Sequence, residues 1–308
     1  MIKNQQNRKS TWNRVKNFLF LSFFYLLSIL PFWVIYRLSD FLFFVIYKLI
    51  GYRKSVVRQN LRSSFPDKKE EELTVIEKKY YAYLCDLILE TFKTLTISRK
   101  GMLKRCGMDQ EAVALLAKLK EDNKSAILVL GHHGNWEWAG NTVGLLSGQP
   151  LYVIYHPLSS DFFNRLMIQM RSRFGNKLIA MKNTFRHMSA NKKETVMTAF
   201  IADQSPSPEH AYWLHFLHQD TPVFEGVGKM ATKLKQSVIY IDIVRKKRGF
   251  YNVKAQLIED LSDSTNSGEI TQKHVKCLED SIIKQPETWL WSHRRWKHQK
   301  SATTIVNG

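Results

Sequence analysis

The sequence is poor in cysteine and in acidic residues. Its 308 residues include three cysteines, Cys85, Cys106 and Cys277, and none of them stands in a Cys-x-x-Cys pair. This spacing argues against a zinc knuckle and a disulfide framework, and it predicts a reducing environment for the folded part.

Basic residues outnumber acidic ones: the sequence has 27 Asp and Glu against 46 Lys and Arg, so the formal net charge is +19. Such a surface attracts anions, among them lipid headgroups, phosphorylated sugars, nucleic acid and acidic carrier proteins, and charge alone does not choose between them.

A long apolar stretch follows the basic N-terminus. Residues 17–36 carry no charge, and a helix of about 20 apolar residues is long enough to span the hydrocarbon core of a bilayer. Large apolar residues follow it where a signal peptide would have a small-residue cleavage site, so an uncleaved anchor is predicted. Pro31 and Lys48 interrupt the run, and both of its flanks are basic. Two geometries therefore stay open: a single span, or a hairpin that dips into one leaflet.

The pattern of apolar residues changes at about residue 124. Residues 55–124 carry apolar side chains at helical spacing, with a break at Pro66, and predict a helical segment. Beyond it, short apolar runs alternate with helical stretches and predict an α/β domain over residues 125–308, with a mostly parallel central sheet flanked by helices. Residues 1–54 form the predicted anchor. The predicted strands are SAILVL, LYVIYH, KLIAM, TVMTAFIAD, SVIYIDIVR and FYNVKAQLI.

The first predicted strand ends in a polar loop that is flanked by glycines. The loop reads Gly131-His132-His133-Gly134-Asn135-Trp136-Glu137. Loops at the carboxyl ends of parallel strands are where α/β proteins place their sites. If a helix begins near Asn135, Glu137 can fold back to within hydrogen-bonding distance of the His132 ring, fix its tautomer and stabilise the imidazolium. The loop holds no Ser or Cys, so a substrate hydroxyl is the expected nucleophile and His132 the expected general base.

Two other interpretations of the loop stay open at this point. His132, His133 and Glu137 could ligate a metal ion, although adjacent histidine side chains diverge and no further ligand cluster follows. The His–Glu pair could also be a buried structural contact.

The loop is similar to the His-x4-Glu block of the late lipid A biosynthesis acyltransferases of the lauroyl and myristoyl type. These enzymes belong to the wider lysophospholipid acyltransferase superfamily, in which Asp is more common at the position of Glu137. One departure is Phe216-Leu217-His218, where the family often reads Phe-Phe-Gly, and it alters the expected pocket shape rather than the reaction class. Further similar blocks follow in the family's order: Tyr155–Pro157, Arg171–Gly175, Ala202–Gln204, Pro222–Ala231 and Glu287–Lys297.

The resemblance implies a glycerol-phosphate-acyltransferase-like fold and an acyltransferase that needs no metal and no cofactor. His132 and Glu137 would be catalytic, and Arg171 would meet a substrate phosphate. The donor would be an acyl thioester on acyl carrier protein or CoA, and the acceptor a hydroxyl of an anionic lipid A precursor. The implied location is the bacterial inner membrane, with the catalytic domain facing the cytoplasm. Further predicted substrate-binding residues are Asn135, Trp136, Asp203, Gln204, Arg294 and Arg295.

Two other functions stay open beside this one. The acceptor could be another membrane lipid, such as an ornithine lipid, a lysophospholipid or a glycolipid. The chain could instead be a non-enzymatic basic membrane tether that binds nucleic acid. Binding to nucleic acid is not expected, because the basic residues are spread over the chain and no nucleic-acid-binding motif is present.

Overall fold

The computed structural model describes residues 2–190, 194–260 and 265–300. The α-helices are α1 Ile2–Ile29, α2 Phe32–Phe43, α3 Lys54–Ser64, α4 Glu70–Lys93, α5 Arg99–Arg105, α6 Gln110–Glu121, α7 Trp136–Leu146, α8 Asp161–Ser172, α9 Thr184–Ala190, α10 Gly226–Leu234 and α11 Ser267–Lys284. The strands are β1 Cys106–Met108, β2 Ala126–Leu130, β3 Leu151–Tyr155, β4 Lys177–Ala180, β5 Met197–Ile201, β6 Tyr212–Phe216, β7 Gln219–Val223, β8 Ser237–Lys247 and β9 Phe250–Glu259. A π-helix follows α2 at Phe44–Ile50, and short 3-10 helices lie at Met181–Asn183, Pro208–His210 and Pro286–Thr288.

A mostly parallel sheet forms the centre of the molecule. Within the described ranges it has seven strands in the order β1-β9-β8-β2-β5-β3-β4, and only β8 and β9 pair in the antiparallel sense. Strand β2 lies between β8 and β5, and all five of its residues are buried. A strand paired on both edges and covered by other elements needs apolar side chains throughout, as Ala-Ile-Leu-Val-Leu provides. The predicted α/β fold is confirmed, with all six predicted strands present.

Three elements were not expected from the sequence. Strand β1 lies inside the predicted helical segment and pairs with β9, and its three residues, Cys-Gly-Met, are too short to give a strand pattern. Strands β6 and β7 form a separate antiparallel hairpin, whose second strand is polar and contains Pro222. Residues 262–268 read Ser-Asp-Ser-Thr-Asn-Ser-Gly, a composition that predicts a loop; they lie partly outside the described residues, and Ser267 and Gly268 begin α11.

The N-terminal apolar stretch is bent. The segments Val15–Ile29 and Phe32–Ile50 meet at an angle of 117° and are called the bent pair below. No single helix within the described residues is long and apolar enough to cross a membrane, whereas the two halves of the bent pair meet this test together. The bend falls at Pro31, which interrupts the apolar run in the sequence, and residues 17–36 are not one continuous helix. Exposed apolar side chains on the bent pair include Phe18, Leu19, Phe23, Leu26, Trp33, Phe41, Phe44, Leu49 and Ile50.

Helix α4 attaches the bent pair to the sheet through buried polar side chains. The Lys93 ammonium donates to the carbonyls of Ser28, at 2.6 Å, and Leu30, at 2.7 Å. These carbonyls lie at the end of α1, where the helix itself offers no donor. Two turns earlier, the Asp86 carboxylate accepts a hydrogen bond of 2.7 Å from the Ser39 hydroxyl on α2. The corner of the bent pair is therefore fixed to α4 by hydrogen bonds.

Candidate active site

The loop between β2 and α7 is shaped by two residues. The Asn135 side-chain oxygen accepts from the backbone N–H of Trp138 at 3.0 Å and so caps the first turn of α7. Gly134 has a φ of +60°, and a Cβ atom there would collide with the carbonyl of Ile243 on β8. Only glycine adopts this φ without strain and also leaves room for the Ile243 carbonyl. The sequence Gly134-Asn135 therefore determines the path of the chain from β2 into α7.

His132 pairs with a carboxylate from the neighbouring strand. Its Nδ1 lies 2.6 Å from one Asp203 oxygen, and its backbone N–H donates to the other at 2.8 Å. Leu130 pairs with Ile201 in the parallel ladder of β2 and β5, so the residues two positions further on meet at the same sheet edge. Asp203 therefore lies beside His132 at this edge.

The Asp203 carboxylate is buried and held in its ionised form. The indole N–H of Trp289 donates to the Asp203 carboxylate at 2.8 Å, and the Asp203 side chain is 4% exposed. Burial alone raises the pKa of Asp203, but the charge of His132 and the hydrogen bonds from His132 and Trp289 outweigh it and hold the pKa well below its usual range. Trp289 is a contact that sequence reasoning missed, although it lies in the C-terminal block that carries the resemblance.

The His132 ring is placed to act as a base through Nε2. An ionised carboxylate only accepts hydrogen bonds, so Nδ1 carries a proton, and in the neutral ring Nε2 is the nitrogen with the lone pair. The ring packs edge-on against Trp136, with 4.9 Å between the ring centroids, and its side chain is 17% exposed. This tautomer and orientation are those a general base requires.

The neighbouring His133 lies on the other side of the loop. It is buried, and its Nε2 lies 2.9 Å from the Thr288 hydroxyl and 3.2 Å from the Gln285 carbonyl. Burial lowers the pKa of His133. His133 therefore holds the C-terminal segment against the loop, whereas His132 faces the site.

Glu137 contacts an arginine rather than the histidine. Both of its oxygens accept from the Arg171 guanidinium, at 2.9 Å from Nε and 2.6 Å from Nη2. The expected hydrogen bond from His132 to Glu137 is wrong, because Asp203 occupies that place on the ring. Burial raises the pKa of Glu137, but the Arg171 charge outweighs this and lowers it, with a smaller contribution from His132. Glu137 thus lies within electrostatic range of the imidazole without bonding to it.

A buried carboxylate supports the loop from below. Glu90 on α4 accepts from the Asn135 amide at 2.8 Å, the Tyr251 hydroxyl at 2.8 Å and the Tyr36 hydroxyl at 3.0 Å. Burial, together with the charge of Asp86, raises the pKa of Glu90 to about 7. Sequence reasoning missed Glu90, since it lies inside a long helix 45 positions from Asn135.

The loop backbone is largely committed to contacts inside the protein. The Gly134 N–H donates to the Thr288 carbonyl at 3.0 Å, and the Gly134 carbonyl accepts from the Tyr83 hydroxyl. The Gly134 N–H is therefore not free to stabilise an oxyanion. Asn135 is 0% exposed, so the structure gives it a supporting place under the loop rather than the substrate contact that was predicted.

The remaining predicted substrate-binding residues divide by exposure. Gln204, which directly follows Asp203, and Arg294 are exposed, while Arg295 is buried. The Arg295 guanidinium donates to Ser205 at 3.2 Å and lines a small cavity behind Asp203. Burial lowers the pKa of Arg295 to about 10. Arg295 is thus enclosed within the protein, and the structure does not bring it to a surface that a substrate headgroup reaches.

Comparison with known proteins identifies a family whose members the chain resembles along most of its length. The model of the bacterial lipid A biosynthesis acyltransferase family matches residues 2–298. The chain is 21% identical over 269 residues to a lipid A biosynthesis palmitoleoyltransferase of Escherichia coli (strain K12), covering 87% of this chain and 86% of that protein. It is 25% identical over 256 residues to a lipid A biosynthesis acyltransferase of Haemophilus influenzae, covering 82% and 80%. A lipid A biosynthesis lauroyltransferase of Escherichia coli is 22% identical over 277 residues, with 87% of each chain covered.

Proposed function

Because the chain belongs to the family of bacterial lipid A biosynthesis acyltransferases, we propose that it transfers a fatty acyl group from a thioester to a hydroxyl of a lipid A precursor. The protein is an acyltransferase of this family, and its family membership confirms the resemblance found in the sequence. The observation that carries the proposed mechanism is the His132–Asp203 contact of 2.6 Å at the carboxyl edge of the parallel sheet.

In the proposed reaction His132 acts as the base. The acceptor oxygen attacks the thioester carbon while its proton passes to His132 Nε2. The C–S bond then breaks as the carbonyl reforms, and the departing thiolate takes the proton back from the imidazolium. Asp203 stabilises the imidazolium by direct contact, and Glu137 does so from a greater distance. The sequence had proposed a His132–Glu137 pair, and the geometry favours Asp203 as the direct partner.

The same proposal gives Arg171 the binding of a substrate phosphate. Glu137 occupies its Nε and Nη2 donors, and a guanidinium has five N–H donors in total, so donors remain for a phosphate oxygen. The Arg171 side chain is 23% exposed and can therefore meet a ligand at the surface. The carboxylate holds the guanidinium plane, which reduces the entropy that a bound phosphate would cost.

The donor and the location complete the proposal. The donor is an acyl thioester on acyl carrier protein or CoA, and either anion suits a chain with a net charge of +19. The exposed apolar side chains of the bent pair, preceded by basic residues, support placement at the inner membrane with the catalytic domain on the cytoplasmic side. The substrates' acyl chains would lie in that bilayer.

The test is the mass spectrum of lipid A from cells with the gene, without it, and with His132→Ala. We expect both the deletion and the allele to lack one acyl chain, because transfer without the base falls by about 10²–10⁴-fold. The control allele is His215→Ala, since the His215 side chain is 66% exposed on the β6–β7 hairpin, and it should restore normal lipid A.

Two outcomes contradict the proposal in different ways. If lipid A is unchanged and another membrane lipid changes, the acceptor is wrong and the chemistry stands. If His132→Ala restores normal lipid A at wild-type protein level, His132 is not the base.

A further inference from the structure

A second cavity lies where the bent pair meets the C-terminal segment. It has a volume of about 400 Å³, within the range of cavities that hold small ligands. Its wall is mainly apolar, with polar groups gathered at one side. The apolar residues are Ile46, Ile50, Leu84, Ile88 and Leu290, and the polar ones are Tyr52, Arg53, Ser292 and His293. This cavity is called the groove below.

Unusual backbone conformations border the groove. Residues Phe44–Ile50 form a π-helix, a rare conformation that often marks functional sites. Gly51 and Arg53 follow it with φ angles of +67° and +51°. A left-handed arginine costs free energy that surrounding contacts must offset, and Arg53 donates to the Ser292 carbonyl at 2.9 Å. The fold therefore maintains this wall at a cost in backbone strain.

The walls of the groove adjoin the catalytic loop. Leu290 directly follows Trp289, whose indole bonds to Asp203. Leu84 directly follows Tyr83, whose hydroxyl bonds to the loop carbonyl of Gly134. His293, which lines the groove, is also close to the loop. Burial lowers its pKa to about 4, and the charges of Asp203 and His132 have smaller effects on the same pKa. The groove thus ends within electrostatic range of the proposed base.

The other end of the groove adjoins the apolar surface of the bent pair. Ile50 lines the groove and is 67% exposed, as is its neighbour Leu49. Ile50 therefore belongs both to the groove and to the exposed apolar surface, and it joins the two. Arg53 stands beside this path and forms no ion pair within the described residues, so its charge is available to an anion.

From these contacts we propose that the groove binds an acyl chain of the lipid acceptor, which enters along the bent pair and brings the acceptor headgroup toward His132. This inference rests on the proposed function. The acceptor is favoured over the donor because the groove opens onto the apolar surface, where a membrane lipid lies and a water-soluble carrier does not. The cation of Arg53 suits the anionic headgroup of such a lipid.

The experiment fills the groove with larger side chains in the purified full-length protein. Ile50→Trp and Ile88→Trp each place an indole in the space that the chain would occupy. We expect the KM for the lipid acceptor to rise about tenfold, which corresponds to about 1.4 kcal/mol, while the KM for the donor stays unchanged. The matched control is Val75→Trp, since Val75 lies on α4 as Ile88 does, is 49% exposed and does not line the groove.

The outcomes separate this inference from the proposed function. A change in the donor KM or in donor chain-length preference, with the acceptor KM unchanged, would overturn the inference by assigning the groove to the donor. Unchanged values for both substrates would overturn it altogether. Binding of a fluorescent long-chain fatty acid to His132→Ala, and its weakening by Ile50→Trp in that background, reports groove occupancy even if no lipid A is acylated.

Discussion

The candidate active site combines two pairs of side chains of different origin. His132 and Asp203 stand at the ends of adjacent parallel strands and are 71 positions apart, and this couple is called the strand pair below. Glu137 and Arg171 stand on α7 and α8, 34 positions apart, and form the helix pair. In both pairs the carboxylate is the more buried partner, with Asp203 4% and Glu137 10% exposed, and the cationic or basic partner reaches the surface, with His132 17% and Arg171 23% exposed. The pairs differ in chemistry: in the proposed mechanism the imidazole takes a proton, whereas the guanidinium has donors left to hold an anion.

The strongest test of this division replaces Asp203 by Asn. The amide N–H of Asn would donate to Nδ1 and turn the imidazole to the tautomer in which Nε2 carries the proton, so the base loses its lone pair. We expect kcat to fall by about 10²–10³-fold with little change in the acceptor KM, as measured with purified protein. The control is Asp220→Asn, because Asp220 faces His215 in an exposed His–Asp contact of 3.5 Å. A variant with normal kcat would show that His132 acts without its strand partner.

A smaller effect is expected when the helix pair is broken. Glu137→Gln removes the charge that holds the Arg171 guanidinium, so we expect the acceptor KM to rise about tenfold and kcat to fall only a few-fold. The exposed pair of Arg62 and Glu70, with a closest contact of 2.6 Å, supplies the control Glu70→Gln. If Glu137→Gln instead lowers kcat as much as Asp203→Asn with KM unchanged, the division fails and Glu137 belongs with the base.

The smallest expected effect is a change in how stability depends on pH. It comes from Glu90, which lies beneath the strand pair and the helix pair. Because the pKa of Glu90 is raised to about 7, the folded state binds a proton that the unfolded state releases above about pH 4.5. Its contribution to stability is thus largest at low pH and is lost as pH rises toward and through 7. We expect Glu90→Gln, which cannot ionise, to remove this decline, shifting Tm by a few degrees between pH 5.5 and 8.5. Identical Tm profiles for the variant and the wild type would contradict the role given to Glu90.

The parts that sequence predicts well are those with local patterns. The buried strand β2 shows its apolar run, and the loop that follows shows glycines at positions where backbone geometry requires one. His132 and Glu137 were predicted as candidate catalytic residues for the same reason, because they lie in one short motif. Pro31 marked a position where the apolar stretch could bend, since proline lacks the N–H that a continuous helix needs, but it did not decide between a single span and a hairpin.

Which side chains contact one another at the site could not be predicted from local sequence patterns. Glu137 was expected on His132 because the two are neighbours in sequence, but strand order decides which side chains meet at a sheet edge. The order that places β5 beside β2 brings Asp203 to the ring, and no local pattern specifies that order. Trp289 and Glu90 were missed for the same reason, since each reaches the site through tertiary packing.

Helix α4 limits how the molecule can move. Tyr83, Asp86, Glu90 and Lys93 lie within about 80° of one another around its axis, given 3.6 residues per turn. They bond to the loop that carries His132 or to the bent pair, so a roll of α4 by one residue would break these buried contacts together. One helix face therefore ties the bent pair and this loop to each other. If the bent pair lies in a bilayer as proposed, its depth there also sets the height of the His132 imidazole.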